Sequence, residues 1–355
     1  MNFFLYYMSK LHSHMFSFSK PGISLLLLLI TCTTALAQQD SLLLDSNTII
    51  VGEIKSMKRG VLTIETNYSD SDFNIEWLET KKIYTQSVFL ASLVDGSRIV
   101  GTLRSNENNS ITITNREGVD EREVLISEIV YLQPLNEGFW SRLDAAIDFG
   151  ISFTKANNLK QFTMGTNLKY TEDKWSALIN ANMLRSTQDN AEDIRREDAA
   201  FIFNYFLPKD WYLTPRVSIL SNTEQLLDLR TVVSLGVGKY IVNNNNMYWG
   251  VLTGLSYNNE QFSSDAESRS SIEGILGTEL NMFDAKDLSI ITALTAYPSL
   301  SEGGRWRVDW NFDLKYDLPL DFYVKTGITL NYDNQPVADA SDSDYFWKLA
   351  FGWEW

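Results

Sequence analysis

The sequence predicts an all-β protein, a 12-stranded antiparallel transmembrane β-barrel preceded by a small β-domain. Three observations carry this. From residue 142 onward apolar and polar residues alternate in long runs, the last run is an aromatic stripe, and the stretch before residue 134 repeats itself.

Taken in chain order, residues 1–37 read as a signal peptide. Leu25 to Ile30 form the apolar centre, Lys10 and Lys20 precede it, and Ala35-Leu36-Ala37 supplies the small-x-small cleavage pattern. The apolar run is shorter than the about 20 residues a membrane-spanning helix needs. Met15 is an alternative start. Cys32, the one cysteine, and both histidines, His12 and His14, precede the cut. The processed chain then has no thiol for disulfides or Cys–metal sites, and no imidazole.

Residues 38–133 are expected to form a periplasmic duplicated β-domain. Ile49-Ile50-Val51-Gly52-Glu53-Ile54 and Val61-Leu62-Thr63-Ile64 are followed by Ile75-Glu76-Trp77 and Ile83-Tyr84. The pattern recurs as Arg98-Ile99-Val100-Gly101-Thr102-Leu103, Ser110-Ile111-Thr112-Ile113, Val124-Leu125-Ile126 and Ile129-Val130-Tyr131, with Gly52 and Gly101 49 residues apart. Such units resemble SH3-like or Sm-like barrels. Each alone is too short to bury much core, so the two should pack together. Residues 134–141, with Pro134 and Gly138, are the linker.

Residues 142–355 are the barrel. Leu143, Ala145, Ile147, Phe149, Ile151 and Phe153 share one face, against Asp144, Asp148, Gly150 and Ser152. Trp306, Val308, Trp310, Phe312, Leu314 and Tyr316 alternate with Arg305, Arg307, Asp309, Asn311, Asp313, Lys315 and Asp317, and Phe322 to Tyr332 repeats the pattern. Twelve strands follow, at 142–155, 160–171, 174–187, 194–207, 211–224, 227–241, 247–260, 269–283, 287–299, 305–318, 321–333 and 345–355. They exceed the about 5–6 residues of an average soluble strand and suit tilted membrane strands of about 9–11 residues. Short turns alternate with longer loops, as at the periplasmic and outer rims of such barrels. Trp140, Tyr170, Trp175, Tyr205, Trp211, Tyr240, Trp249, Phe283, Phe322 and Trp353 mark the short-turn rim as an aromatic girdle.

The last run puts Tyr345, Trp347, Leu349, Phe351, Trp353 and Trp355 on one face, with Lys348, Gly352 and Glu354 on the other. An open edge this apolar invites association. Closure against strand one would give it a partner and set Trp140 beside Trp353 and Trp355.

With 45 acidic against 30 basic residues the chain is a poor partner for nucleic acid, which needs Lys and Arg to neutralise phosphate. A general base at neutral pH is usually histidine, and barrel hydrolases as a class rely on one. The reading is therefore non-enzymatic, with no catalytic residue, cofactor or metal site. The acidic loops around Asp189, Glu192 and Asp193 and around Asp333, Asp339, Asp342 and Asp344 read as solvated. Inward charges are expected at Asp144, Asp148, Glu273, Glu279, Arg305, Arg307, Asp309, Asp313, Lys315, Lys325 and Lys348, with Asp317, Lys169, Arg216 and Arg230 sharing that side. They make either a solute-selecting constriction or a salt-bridged filling of a narrow lumen, the preferred reading because small barrels are filled by side chains.

The layout over about 138–355, with Arg142-Leu143-Asp144-Ala145 opening the barrel, Gly150 and a Trp353-Glu354-Trp355 end, resembles the salt-induced outer membrane protein family, catalogued as domain of unknown function 481. The resemblance implies the outer membrane of a Gram-negative bacterium, outer-membrane lipid as surroundings, and a link to salt or osmotic stress. It implies no catalytic residues. Outer-membrane barrels as a class end in an aromatic signal read by the barrel-assembly machinery, a role that falls to Trp353 and Trp355. The function expected is an envelope protein of unspecified role. Two alternatives stand beside it: a narrow channel for small solutes, and an interaction module binding a periplasmic protein or cell-wall partner through residues 38–133.

Overall fold

The computed structural model describes residues 39–355 apart from 109, 116–117, 119–120, 136–137, 140–141, 156–157, 190–191, 224–226, 263–266, 286, 337–341 and 354–355. The signal-peptide reading and the roles given to Trp140 and Trp355 lie outside the described residues.

Ten strands come first: β1 (Asp40–Leu44), β2 (Ile49–Lys58), β3 (Val61–Glu65), β4 (Phe73–Glu76) and β5 (Thr80–Tyr84), then β6 (Phe89–Leu93), β7 (Arg98–Ser105), β8 (Ser110–Asn115), β9 (Glu121–Leu125) and β10 (Ile129–Pro134). A 3₁₀ turn precedes β5 (Trp77–Glu79) and another precedes β10 (Ile126–Glu128). The starts of β1, β2, β3, the turn and β5 each recur 49 residues later, so the duplication legible in the sequence is a duplication of structure. Pairings are duplicated too. β2 pairs with β1 and β3, and β7 with β6 and β8. The repeats then clasp each other reciprocally, β10 on β2 and β5 on β7.

One hydrophobic core results, with equivalent residues from both repeats: Ile54 and Leu103, Leu62 and Ile111, Ile64 and Ile113, Ile83 and Leu132. The buried Trp77 indole N–H donates to the Ile126 carbonyl at 2.9 Å, joining the two equivalent turns. Gly52 and Gly101 have the same cause: a Cβ on either would run into a backbone carbonyl oxygen, that of Glu65 or Thr114.

The repeats differ at their first position. Where the second has Phe89, the first has a fully buried Asp40. Its carboxylate accepts from the Gln86 N–H at 2.9 Å and the Ile54 N–H at 3.2 Å, tying the inter-repeat link to β2. Burial raises its pKa above 3.8, against the opposing pull of the backbone donors. The folded domain thus holds this proton more tightly than the unfolded chain, so the contribution is present at low pH and lost as pH rises through the folded value. Relative to Asp40→Asn, the wild-type domain is expected to lose stability as pH climbs from 3.8 towards neutral. Urea titrations of hydrogen exchange in residues 40–134 at both ends of that range check this; parallel behaviour of the two proteins would refute it.

A second sheet has twelve strands in sequence order, every neighbour antiparallel: β11 (Leu143–Thr154), β12 (Leu159–Thr171), β13 (Trp175–Thr187), β14 (Ile194–Phe206), β15 (Trp211–Asn222), β16 (Leu227–Asn243), β17 (Met247–Phe262), β18 (Arg269–Ala285), β19 (Leu288–Pro298), β20 (Trp306–Asp317), β21 (Phe322–Asp333) and β22 (Ser343–Trp353). Alternation, interrupted by bulges in the β15–β16, β16–β17 and β18–β19 ladders, divides it into an apolar and a polar face. Register carries one face across strands, as in Phe201 opposite Val217, Val217 opposite Val233 and Leu235 opposite Leu255. Among the described residues of β11–β22 the buried hydrophobic side chains are Leu227 and Ile275 alone, while Phe149, Leu235, Leu276, Trp347 and many like them are exposed on the apolar face. The polar face is the concave one, since Arg305, next to β20, reaches Glu260 on β17.

The seam expected between strands one and twelve differs. Among the described residues no ladder joins β11 to β22. Both are edge strands, and Phe153 and Tyr345 are among the most exposed apolar residues of the chain.

Candidate functional site

Charged side chains are spread over the polar face, with one dense ion-pair network at the end remote from the β-domain. At the end remote from the β-domain, β16 to β21 bring four arginines to four carboxylates. Arg230 pairs with Glu260 at 2.7 Å, and Arg305 reaches Glu260 at 3.5 Å, Glu302 at 2.9 Å and Asp333 at 2.6 Å. Arg269 holds Glu302 at 2.6 Å. Arg307 grips Glu273 through two parallel bonds at 3.0 and 2.5 Å and lies over the Tyr297 ring. Such forked pairs fix geometry as well as charge. Arg305, Glu260 and Glu273 are almost wholly buried. The Arg269 and Asn334 side chains bond the Gln335 and Gly304 carbonyls, so the network also laces the loops after β19 and β21 together.

Asp333, read from the sequence as part of a solvated acidic loop, is a member of this network. Its register partner is Arg307 and its ion pair is Arg305. Glu260, Arg269 and Glu302 were not singled out by the sequence, because their pairing arises only from cross-strand geometry. In the other acidic loop Arg195 pairs with Glu197 at 2.7 Å and Arg196 lies 3.8 Å from Asp198.

The remaining predicted charges sit elsewhere on the polar face. Asp313 pairs with Lys348 at 2.8 Å, Lys315 with Asp317 at 3.0 Å, and Glu279 accepts from the Tyr248 hydroxyl. Asp144 lies opposite Lys169, Asp148 opposite Gly165, and Asp309 opposite Thr295. Lys325, Asp148 and Arg216 are exposed on this face.

At the other end the β-domain meets the short turns. Arg98, which opens β7, donates from Nε to the Asp173 carbonyl at 2.6 Å and from Nη2 to the Glu172 carbonyl at 3.2 Å. Its guanidinium lies 4.1 Å above the Phe206 ring, a cation–π contact. Arg142 pairs with the Glu172 carboxylate of the same turn. Asn245 donates to the Ser127 carbonyl at 3.0 Å, and Gly60 abuts Asn245 and the Phe283 ring. Gly96, at positive φ, abuts Asp210. The Lys169 ammonium lies 5.7 Å from the Tyr131 ring. Burial here, with Asp144 nearby, pushes the Tyr131 phenol up to about 12, and burial holds the Arg98 guanidinium below its ordinary value.

This docking corrects the aromatic girdle. Tyr170, Trp175, Tyr205, Trp211, Trp249, Phe322 and Trp353 do lie on the apolar face, and Phe139, Tyr170, Trp175 and Phe203 stack in a row along it. Tyr240 and Phe283 belong to the polar side. Tyr240 lies against Tyr212 with the rings tilted, on the polar face, because Lys239 and Ile241 occupy the outward positions on either side of it. Trp353 donates its indole N–H to the Leu320 carbonyl. An open recess of about 500 Å³ is lined by Met164, Ala181, Met183, Ala199 and Ile219 together with the charged Arg195 and Glu197.

No curated protein matches the chain. The family model described as protein of unknown function, DUF481, matches residues 147–355, from within β11 to the last residue, and leaves the duplicated domain outside. On that match over more than half its length, the chain belongs to the DUF481 family.

Proposed function

We propose that this is a non-enzymatic outer-membrane protein of the cell envelope, its twelve strands closed into a transmembrane barrel and its duplicated SH3-like domain held beneath the periplasmic mouth. One observation carries the reading: the twelve-stranded sheet buries almost no apolar side chain of its own and turns the rest outward. Covering a Leu, Ile or Phe is worth roughly 1.5–3 kcal/mol, so such a face requires an apolar solvent, and lipid supplies it. A role under salt or osmotic stress is part of this proposal, on the resemblance to the salt-induced outer membrane proteins. Cell fractionation is the test. The protein is expected in the outer-membrane fraction with heat-modifiable gel mobility; recovery in the periplasm as a species of fixed mobility would overturn the reading.

A narrow channel is the second reading, favoured by the exposed Arg216, Lys325 and Asp148 on the concave face and opposed by the ion-pair network across part of it. The third is an interaction module, favoured by the exposed Ile49, Tyr68 and Phe73 of the β-domain. A pulldown from periplasm with the whole protein that retains no partner would count against it.

A further inference from the structure

We infer that the duplicated domain is a plug that closes the barrel lumen from the periplasmic side, with Arg98 as its latch. The inference rests on the membrane-barrel reading. Four neighbouring short turns touch the domain, at residues 172–173, 206–210, 245 and 283. Two of its glycines, Gly60 and Gly96, sit where the approach to the rim leaves no room for a side chain. Tyr131 lies against the inward-facing Lys169, within the mouth rather than on the outer rim. The far end is closed less completely. Its ion pairs belong mainly to β16 to β21 and the loops beside them, whereas Arg196, on the polar face at the far end of β14, remains exposed. The domain is therefore the stopper that decides whether the lumen is continuous.

The latch is unusual in its chemistry. Arg98 is held across the junction by two carbonyl oxygens and an aromatic ring, it donates to the Ser92 hydroxyl within its own domain, and among the described residues it makes no ion pair. Contacts of that kind are screened less by salt than an exposed ion pair is, so the plug should hold across a wide range of ionic strength.

The test is single-channel recording of the full protein in planar bilayers. Wild type is expected to be nearly silent. Arg98→Ala is expected to raise the open probability on the order of tenfold or more, as loss of a cation–π contact and two bonds from a charged donor implies. A Ser127→Cys and Asn245→Cys pair added to Arg98→Ala, and oxidised, should return it to silence, with reductant restoring the openings; this separates undocking from misfolding. Equal conductance in wild type and Arg98→Ala, or silence in both, would overturn the plug. Heat-modifiable mobility of every variant is measured alongside, so that failure of the barrel reading is seen separately.

Discussion

Arg305→Ala is expected to destabilise the sheet by about 3–5 kcal/mol, the cost of breaking a buried ion pair by removing one partner. The side chain is 2% exposed and serves Glu260, Glu302 and Asp333 together. Its loss leaves Glu260 with Arg230 and Glu302 with Arg269, but strands Asp333. Arg305→Lys should recover less than half, since a single ammonium cannot fork to three carboxylates. Lys348→Ala is the control. Its pair with Asp313 is 47% and 42% exposed, and such pairs are worth about 0–1 kcal/mol. Urea midpoints of protein refolded in lipid vesicles measure all three. If Arg305→Ala cost no more than Lys348→Ala, the network would not be a structural unit.

Trp77→Ala is expected to unfold both halves of the duplicated domain together. Removing a buried tryptophan costs about 3–5 kcal/mol, and the hydrogen bond to Ile126 goes with it, roughly another 1 kcal/mol. Neither repeat has a core of its own to fall back on, because the buried set is shared. Hydrogen exchange should show residues 40–84 and 89–134 losing protection in step while β11–β22 keep theirs. Protection surviving in the second repeat alone would show that the repeats are separate folding units.

Strand positions were legible because side-chain alternation is a local property of extended backbone. The run from Leu143 to Phe153 and the run from Trp306 to Tyr316 place β11 and β20 to within a residue or two. The repeat was legible through Gly52 and Gly101, since only glycine tolerates the crossing at a neighbouring carbonyl. What the sequence hid were contacts between distant segments. Nothing near Arg98 announces Phe206, and nothing near Asp333 announces Arg305. Tyr240 and Phe283 were assigned to the girdle because an aromatic ring suits a lipid rim and a domain contact equally well. Strand parity, read strictly at Lys239 and Ile241, would have placed Tyr240 inside.

The free edges of β11 and β22 bear on the girth of the molecule. Side chains repeat every two residues, so these strands can meet in registers two residues apart without turning one apolar group inward. Each such step would change the stagger of the proposed cylinder, and stagger and strand number together fix a barrel's diameter. The other ladders are already set in register. In the proposed barrel one junction, between the first strand and the last, would therefore decide how wide the lumen is.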